Sequence, residues 1–154
     1  MKYFFLIGCL SIIFSGCIKN DKGCVPVKPE SEEPEIRAYA TTSNISATKL
    51  ANGICYEILR PGYGATPTTS STVKVTYTGK LLNGFVFEQV TSPITFKVGQ
   101  VIEGWQIGLG LIKKGGRIHL ILPSVYGYGC NGNANKSIPP NAILYYDIDL
   151  IDVQ

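Results

Sequence analysis

Apolar and polar residues alternate with a period of two along three stretches of the second half of the chain. In Thr72-Val73-Lys74-Val75-Thr76-Tyr77-Thr78-Gly79, Val73, Val75 and Tyr77 share one face, and Lys74, Thr76 and Thr78 share the other. Residues 116–122 repeat the pattern, with Ile118, Leu120 and Leu122 inward and Arg117 and His119 outward. Residues 143–153 set Leu144, Tyr146, Ile148 and Leu150 against Tyr145, Asp147 and Asp149. Earlier in the chain, residues 45–50 and 54–59 flank Asn52-Gly53, a hairpin signal. Trp105, Leu109 and Ile112 fall instead at helical spacing, which gives a short helix one apolar stripe. Lys113-Lys114-Gly115-Gly116 then places positive charge near the helix C-terminus and glycines to stop it. The pattern predicts an α+β fold: an antiparallel sheet wet on one face, with one short helix against its dry face. Whether Trp105 is plain core or the floor of a pocket is left open by periodicity.

The first residues are of a different kind. Lys2 is followed by an apolar run over residues 3–14 and then by Ser15-Gly16-Cys17. A basic start, a short apolar run and small residues before a cut site describe a secretory signal, and the run is too short for an ordinary membrane span. Phe14-Ser15-Gly16-Cys17 resembles a lipoprotein lipobox, which implies cleavage before Cys17 and a lipid on its sulfur. The expected organisation is a signal peptide over 1–16, then lipidated Cys17 and a spacer over 17–44, then one domain over 45–154. Ser31-Glu32-Glu33-Pro34 opens a short helix in the spacer, running through about Thr42 with acids in its first turn. The expected location is the cell envelope, outside the cytoplasm, with the membrane held through the lipid.

Composition narrows the function classes. The chain has 154 residues, 45% hydrophobic and 16% charged, a globular balance for one domain and short appendages. Its net charge of +3 comes without a basic block, which argues against nucleic acid as a partner. Beyond the leader the cysteines are Cys24, Cys55 and Cys130, with no C-x-x-C pair and a single histidine, His119. Neither a zinc site nor a thioredoxin-like motif is supported, and no metal or cofactor is expected. Which cysteines pair, if any, is open. The Gly-x-Gly of residues 108–110 lacks the ending of a phosphate loop and fits no dinucleotide fingerprint.

Four segments in order carry a further reading. They are Val75-Thr76-Tyr77-Thr78-Gly79, Gly84-Phe85-Val86-Phe87-Glu88, Val101-Ile102-Glu103-Gly104-Trp105, and Tyr126-Gly127-Tyr128-Gly129 followed by Ile138-Pro139-Pro140-Asn141-Ala142. Together they resemble the FKBP-type peptidyl-prolyl isomerases, from about Asn52 to the end of the chain. The resemblance implies a five- or six-stranded antiparallel sheet wrapped over one short helix, with an apolar cleft between them that grips the proline of an X-Pro bond. Residue by residue it makes Trp105 the cleft floor and Val101 and Ile102 one wall, with the Ile102 N–H holding a substrate carbonyl. Tyr77 and Phe87 line the proline site, and Tyr128 closes over it. Glu88, Ile94 and Tyr146 complete the lining, and Ile138 sits on an overhanging loop. The implied partners are proline-containing exported polypeptides, and the implied state is a monomer.

The chain also departs from that family's pattern. Phe87-Glu88-Gln89-Val90 stands where Phe-Asp-Ser-Ser is usual, so the acid is one methylene longer. Residues 89–93 are a few positions shorter, and the basic residue and glycine often found before the proline are absent. Ile94 replaces an aromatic, Tyr146 a phenylalanine, and Gln100 sits in a shortened turn. These changes touch the rim rather than the floor. They leave a second reading beside the enzyme: an FKBP-like binding or chaperone module in a membrane-anchored assembly.

Overall fold

The computed structural model describes residues 23–154, so the expected signal peptide and Cys17 lie outside the described residues. In chain order the elements are α1 (Pro29–Thr42), β1 (Thr48–Lys49), β2 (Cys55–Arg60), β3 (Thr72–Leu81), β4 (Val86–Lys97), α2 (Glu103–Leu109), β5 (Arg117–Leu122) and β6 (Leu144–Val153). The strands form one antiparallel sheet in the order β1-β2-β5-β6-β3-β4. All three period-two stretches are strands in the expected orientation. Val73, Val75, Tyr77, Ile118, Leu120, Leu122, Leu144, Tyr146, Ile148 and Leu150 are buried together on one face. The Asn52-Gly53 hairpin forms, with Gly53 at φ +91° and Asn52 Oδ1 accepting from the Ile54 N–H, although β1 is only two residues long.

Helix α2 lies against this face. It ends at Leu109, earlier than the apolar stripe suggests, and Ile112 is buried in the turn that follows. Lys113 and Lys114 therefore fall beyond the helix, and no basic residue stands in its last turn. Lys114 instead pairs with Asp152 at 2.6 Å. Gly104 and Gly108 are spaced to face β5. A Cβ on either would overlap the fully buried side chains of Leu122 and Leu120. These glycines let the helix backbone approach the sheet more closely than any larger residue would.

The other face is not simply wet. Expected only as a short helix in the spacer, α1 packs on the sheet as a second layer. Ile36 and Ala40 are buried against Cys55, Ile121 and Tyr145, and the Tyr39 and Tyr145 rings lie 5.6 Å apart. The fold thus has two helices, one on each face. Pattern reading missed the second because its stripe is thin: Ile36 and Ala40 are its buried apolar residues. The helix also starts at Pro29 rather than at Ser31, with Pro34 inside it. Proline at the first helical position costs no hydrogen bond. Buried Glu32 accepts from the Ser124 N–H at 2.9 Å, tying α1 to the end of β5.

Beside α1 the same face carries an ionic ladder across three strands, with Glu57, His119 and Asp147 in register. Arg117 binds Asp147 through both carboxylate oxygens at 2.9 and 2.7 Å. His119 Nδ1 lies 3.2 Å from Glu57, and its Nε2 lies 3.7 Å from Asp147. Burial works against the charge of Asp147, but Arg117 and His119 outweigh it and hold its carboxyl well below the usual carboxylate range. A depressed folded-state pKa contributes stability above the unfolded value near 4, lost as pH falls through the folded one. Urea unfolding between pH 5 and 2 is expected to show that loss, on the order of 1–2 kcal/mol. Asp147→Asn should be less stable at pH 7 and show a flatter acid limb. An unchanged acid limb in the variant would mean other carboxylates carry it.

Candidate active site

The cleft opens between α2, β3, β4 and β6, and is about 380 Å³ in volume. At its floor lies Trp105, 4% exposed. Three aromatic rings meet Trp105 nearly perpendicular to it: Tyr77 at 4.8 Å, Tyr146 at 5.3 Å and Phe96 at 6.0 Å between centroids. Edge-to-face contacts of this kind use the ring quadrupoles and hold each ring in one orientation. Trp105 is therefore both core and pocket floor. Its buried indole N–H has no hydrogen-bond partner among the described residues.

The walls follow from the turn before α2. Val101 and Ile102 leave a 3-10 turn over Val98–Gln100 and line the cleft. Gln106 Nε2 donates to the Val101 carbonyl at 2.8 Å and fixes that turn from below. The Ile102 N–H has no protein acceptor among the described residues, so it is a donor free to meet a ligand carbonyl. Tyr128 and Glu88 line the opposite rim, beside Lys136.

Three expected site residues, Ile94, Phe87 and Ile138, do not line the cleft. Ile94 lies on β4 at 36% exposure and does not line the cleft. Its place is taken by Phe96, two residues on and on the same strand face. Val75 pairs with Ile94 but Tyr77 with Val90, so Thr91, Ser92 and Pro93 bulge out opposite Thr76. The shortened segment is thus a bulge in edge strand β4, where proline is tolerated. Phe87 supports the cleft from behind, packing edge-on to Tyr146 at 5.6 Å. Gly79 makes the room, since a Cβ there would overlap both rings. Ile138 is buried in the core beneath the overhanging loop rather than on the cleft surface.

The electrostatics are those of a binding cleft. Burial, with the Glu88 carboxylate second, pushes the Tyr77 hydroxyl far above its ordinary value. Burial, then Tyr128 and Glu88, does the same to Tyr146. Both phenols are hydrogen-bond donors at any physiological pH. Among the described residues no group of three or more His, Cys, Asp or Glu is placed to hold a metal ion. His119 points away from the cleft, as its outward position predicted, and is half-buried there beside Glu57. Cys55, the free cysteine among the described residues, is buried under α1 with its thiol pushed up by burial. A larger hollow of about 640 Å³ is lined by residues of α1 alone, so no second element walls it as the strands wall the cleft.

Two groups at the rim had no legible signal. Lys136, from a 3-10 turn over Ala134–Lys136, meets Glu88 Oε2. Burial works against the Lys136 charge, yet Glu88 and Tyr128 outweigh it and raise its pKa. The second is a disulfide between Cys24 and Cys130, a pairing the spacing leaves open. It ties the segment before α1 to the loop just after Tyr128, and Asn141 Nδ2 reaches the Val25 carbonyl nearby at 3.4 Å.

An aromatic-floored cleft with a free backbone donor and protonated phenols is suited to binding by shape, and among the described residues no Cys, Ser or His lines it. Residues 64–151 match the FKBP-type peptidyl-prolyl cis-trans isomerase domain. A probable FKBP-type isomerase of Haemophilus influenzae is 41% identical over 128 residues, covering 80% of this chain and 52% of that protein. The isomerase FkpA of Escherichia coli K12 is 39% identical over 107 residues, 68% of this chain and 39% of that one. Its crystal structure superposes with a TM-score of 0.71 at 34% identity, over 82% of this chain and 61% of the FkpA chain. A peptidyl-prolyl isomerase of Pseudomonas syringae pv. tomato superposes at 0.69 and 31% identity, over 84% and 98%. The chain belongs to the FKBP-type peptidyl-prolyl cis-trans isomerase family. It spans about half the length of the Haemophilus relative and less of the FkpA sequence.

The disulfide closes a sequence separation of 106 residues. The paired Cys24→Ser and Cys130→Ser variant should lose about 2–4 kcal/mol of unfolding free energy in chemical denaturation. A loss near zero would mean the bridge contributes little to the native state.

Proposed function

We propose that the chain is a peptidyl-prolyl cis-trans isomerase acting on X-Pro bonds of exported polypeptides. The observation that carries this is the cleft: Tyr77, Phe96 and Tyr146 set edge-on around Trp105, beside an unpaired Ile102 N–H. The family match supports the same reading.

The chemistry asks for no covalent step. Amide resonance sets a barrier of about 18–20 kcal/mol, and X-Pro bonds exchange over roughly tens to hundreds of seconds. The resonance form separates charge, and an apolar surround disfavours it more than it disfavours the twisted bond. The proline ring seats on the Trp105 floor between the aromatic rings. The Ile102 N–H holds a substrate carbonyl, and Tyr128 closes from the rim. A cleft shaped to the twisted state binds it better than either planar isomer, which is catalysis by differential binding.

Lipid anchoring at Cys17 in the cell envelope is the accompanying proposal. It is supported by the lipobox-like Phe14-Ser15-Gly16-Cys17 and by the Cys24–Cys130 disulfide, a bond suited to an oxidising compartment. From Cys17 to Cys24 the chain spans at most about 25 Å. A lipid on Cys17 would therefore hold the loop carrying Cys130, and the cleft beside it, close to the membrane. The protein would work there as a monomer on passing chains.

Isomerisation of a short X-Pro peptide by protein starting after Cys17 tests the first proposal. Wild type should exceed the uncatalysed rate. Phe96→Ala and Trp105→Leu should lose about 10- to 100-fold in kcat/KM, roughly 1.4–2.7 kcal/mol, with far-UV circular dichroism showing the fold retained. No turnover from a folded wild type would leave a binding module. For the anchor, full-length protein should partition into a detergent phase, and Cys17→Ser should move it to the aqueous phase. Equal partitioning of the two would remove the lipid.

A further inference from the structure

The loop overhanging the cleft is more tightly built than its polar sequence suggests. Asn133 and Ile138 exchange both backbone hydrogen bonds, at 2.8 and 2.9 Å. The Asn133 side chain accepts from the Lys136 N–H at 3.3 Å, and Ser137 turns the chain in the left-handed region at φ +55°. This small box aims Lys136 back across the cleft mouth to β4. There its Nζ lies 2.5 Å from Glu88 Oε2, with the side chains 33% and 28% exposed.

The pair joins two segments 48 residues apart that make no strand pairing with each other. Glu88 sits on the cleft wall beside Tyr77, and Tyr128 stands next to Lys136. A carboxylate on that wall would, unpaired, face an aromatic surface with its solvation reduced, a costly arrangement. The longer Glu88 side chain reaches out to the loop, and the ammonium that meets it also anchors the loop. A half-buried pair of this kind is screened less than one on the open surface.

We propose that Lys136 is a positioning residue: by holding Glu88 it latches the overhanging loop to β4 and fixes Tyr128 over the cleft. The consequence for turnover rests on the isomerase reading, whereas the latch itself does not. Lys136 touches no reacting atom and acts through Glu88 and Tyr128.

The test uses full-length protein carrying Lys136→Met, Glu88→Gln, both together, or Lys136→Arg. Amide hydrogen exchange reads the latch without any substrate. In Lys136→Met, amides of residues 129–138 should exchange at least about tenfold faster, with those of β5 and β6 unchanged. With an X-Pro peptide, Lys136→Met should lower kcat/KM about 5- to 20-fold, mainly through KM. Lys136→Arg should restore most of it, and the double variant should be no worse than the weaker single one. Unchanged loop exchange in Lys136→Met, or losses that add in the double variant, would overturn the proposal. A wild type without turnover would defeat the isomerase reading, and the exchange data would still decide the latch.

Discussion

The site depends on how closely α2 can lie against the sheet. Trp105 makes edge-to-face contacts with Tyr77, Tyr146 and Phe96, which come from three different strands. Those contacts exist only if the helix axis sits low over β5, and Gly104 and Gly108 remove the side chains that would lift it off Leu122 and Leu120. The cost in helix propensity is about 1 kcal/mol per glycine, and a helix of seven residues would be marginal on propensity alone. Tertiary burial of Trp105 and Leu109 offsets it. The element that presents the cleft floor is therefore held by packing rather than by its own stability, so floor and core are a single structure.

The rim is built on a different principle. Its residues lie in loops and on an edge strand, where no shared core fixes them, and the chain supplies separate ties. The Cys24–Cys130 disulfide holds the loop at one end and Ile138 is sunk in the core at the other, with the Lys136–Glu88 pair between them. The disulfide acts chiefly on the unfolded chain, whereas the ion pair acts on the geometry of the folded cleft. Tyr146, a departure expected at the rim, is instead buried against Trp105 in the floor, whereas Glu88 and the bulge at Thr91, Ser92 and Pro93 do lie at the rim. Changes there can be met one tie at a time, whereas a change at Trp105 would disturb three strands at once.

Legibility in the sequence follows the same line. Strands β3, β5 and β6 could be read because one face of each is buried in a continuous core, which imposes a period of two over whole strands. Trp105, Tyr77 and Tyr146 were legible as members of that core, and the resemblance added that Trp105 is a cleft floor with the two tyrosines in its lining. Where tertiary context replaces periodicity, reading stopped short. Helix α1 buries little beyond Ile36, Ala40 and Glu32, too thin a stripe to separate a docked helix from a spacer helix. The bulge at Thr91, Ser92 and Pro93 breaks the period of two along β4, and Phe96 rather than Ile94 lines the cleft. Lys136 and Cys24 find partners 48 and 106 residues away, and a single charge or thiol in a polar stretch carries no local pattern that points so far.

The protonation states of the cleft fit this architecture. Tyr77 and Tyr146 are driven to stay protonated chiefly by burial, with Glu88 adding to it. A carboxylate beside two phenols would usually mark an acid–base site, where the groups titrate near the working pH. Here the shifts run the other way, taking the phenols out of reach of titration. Lys136 remains charged beside Glu88, so the pair closes on itself rather than exchanging protons with a ligand. What remains available to a bound peptide is a fixed field of donors, an apolar floor and one free backbone N–H. Such a site can favour one conformation of a neutral amide over another, and that is the work that rotation about an X-Pro bond requires.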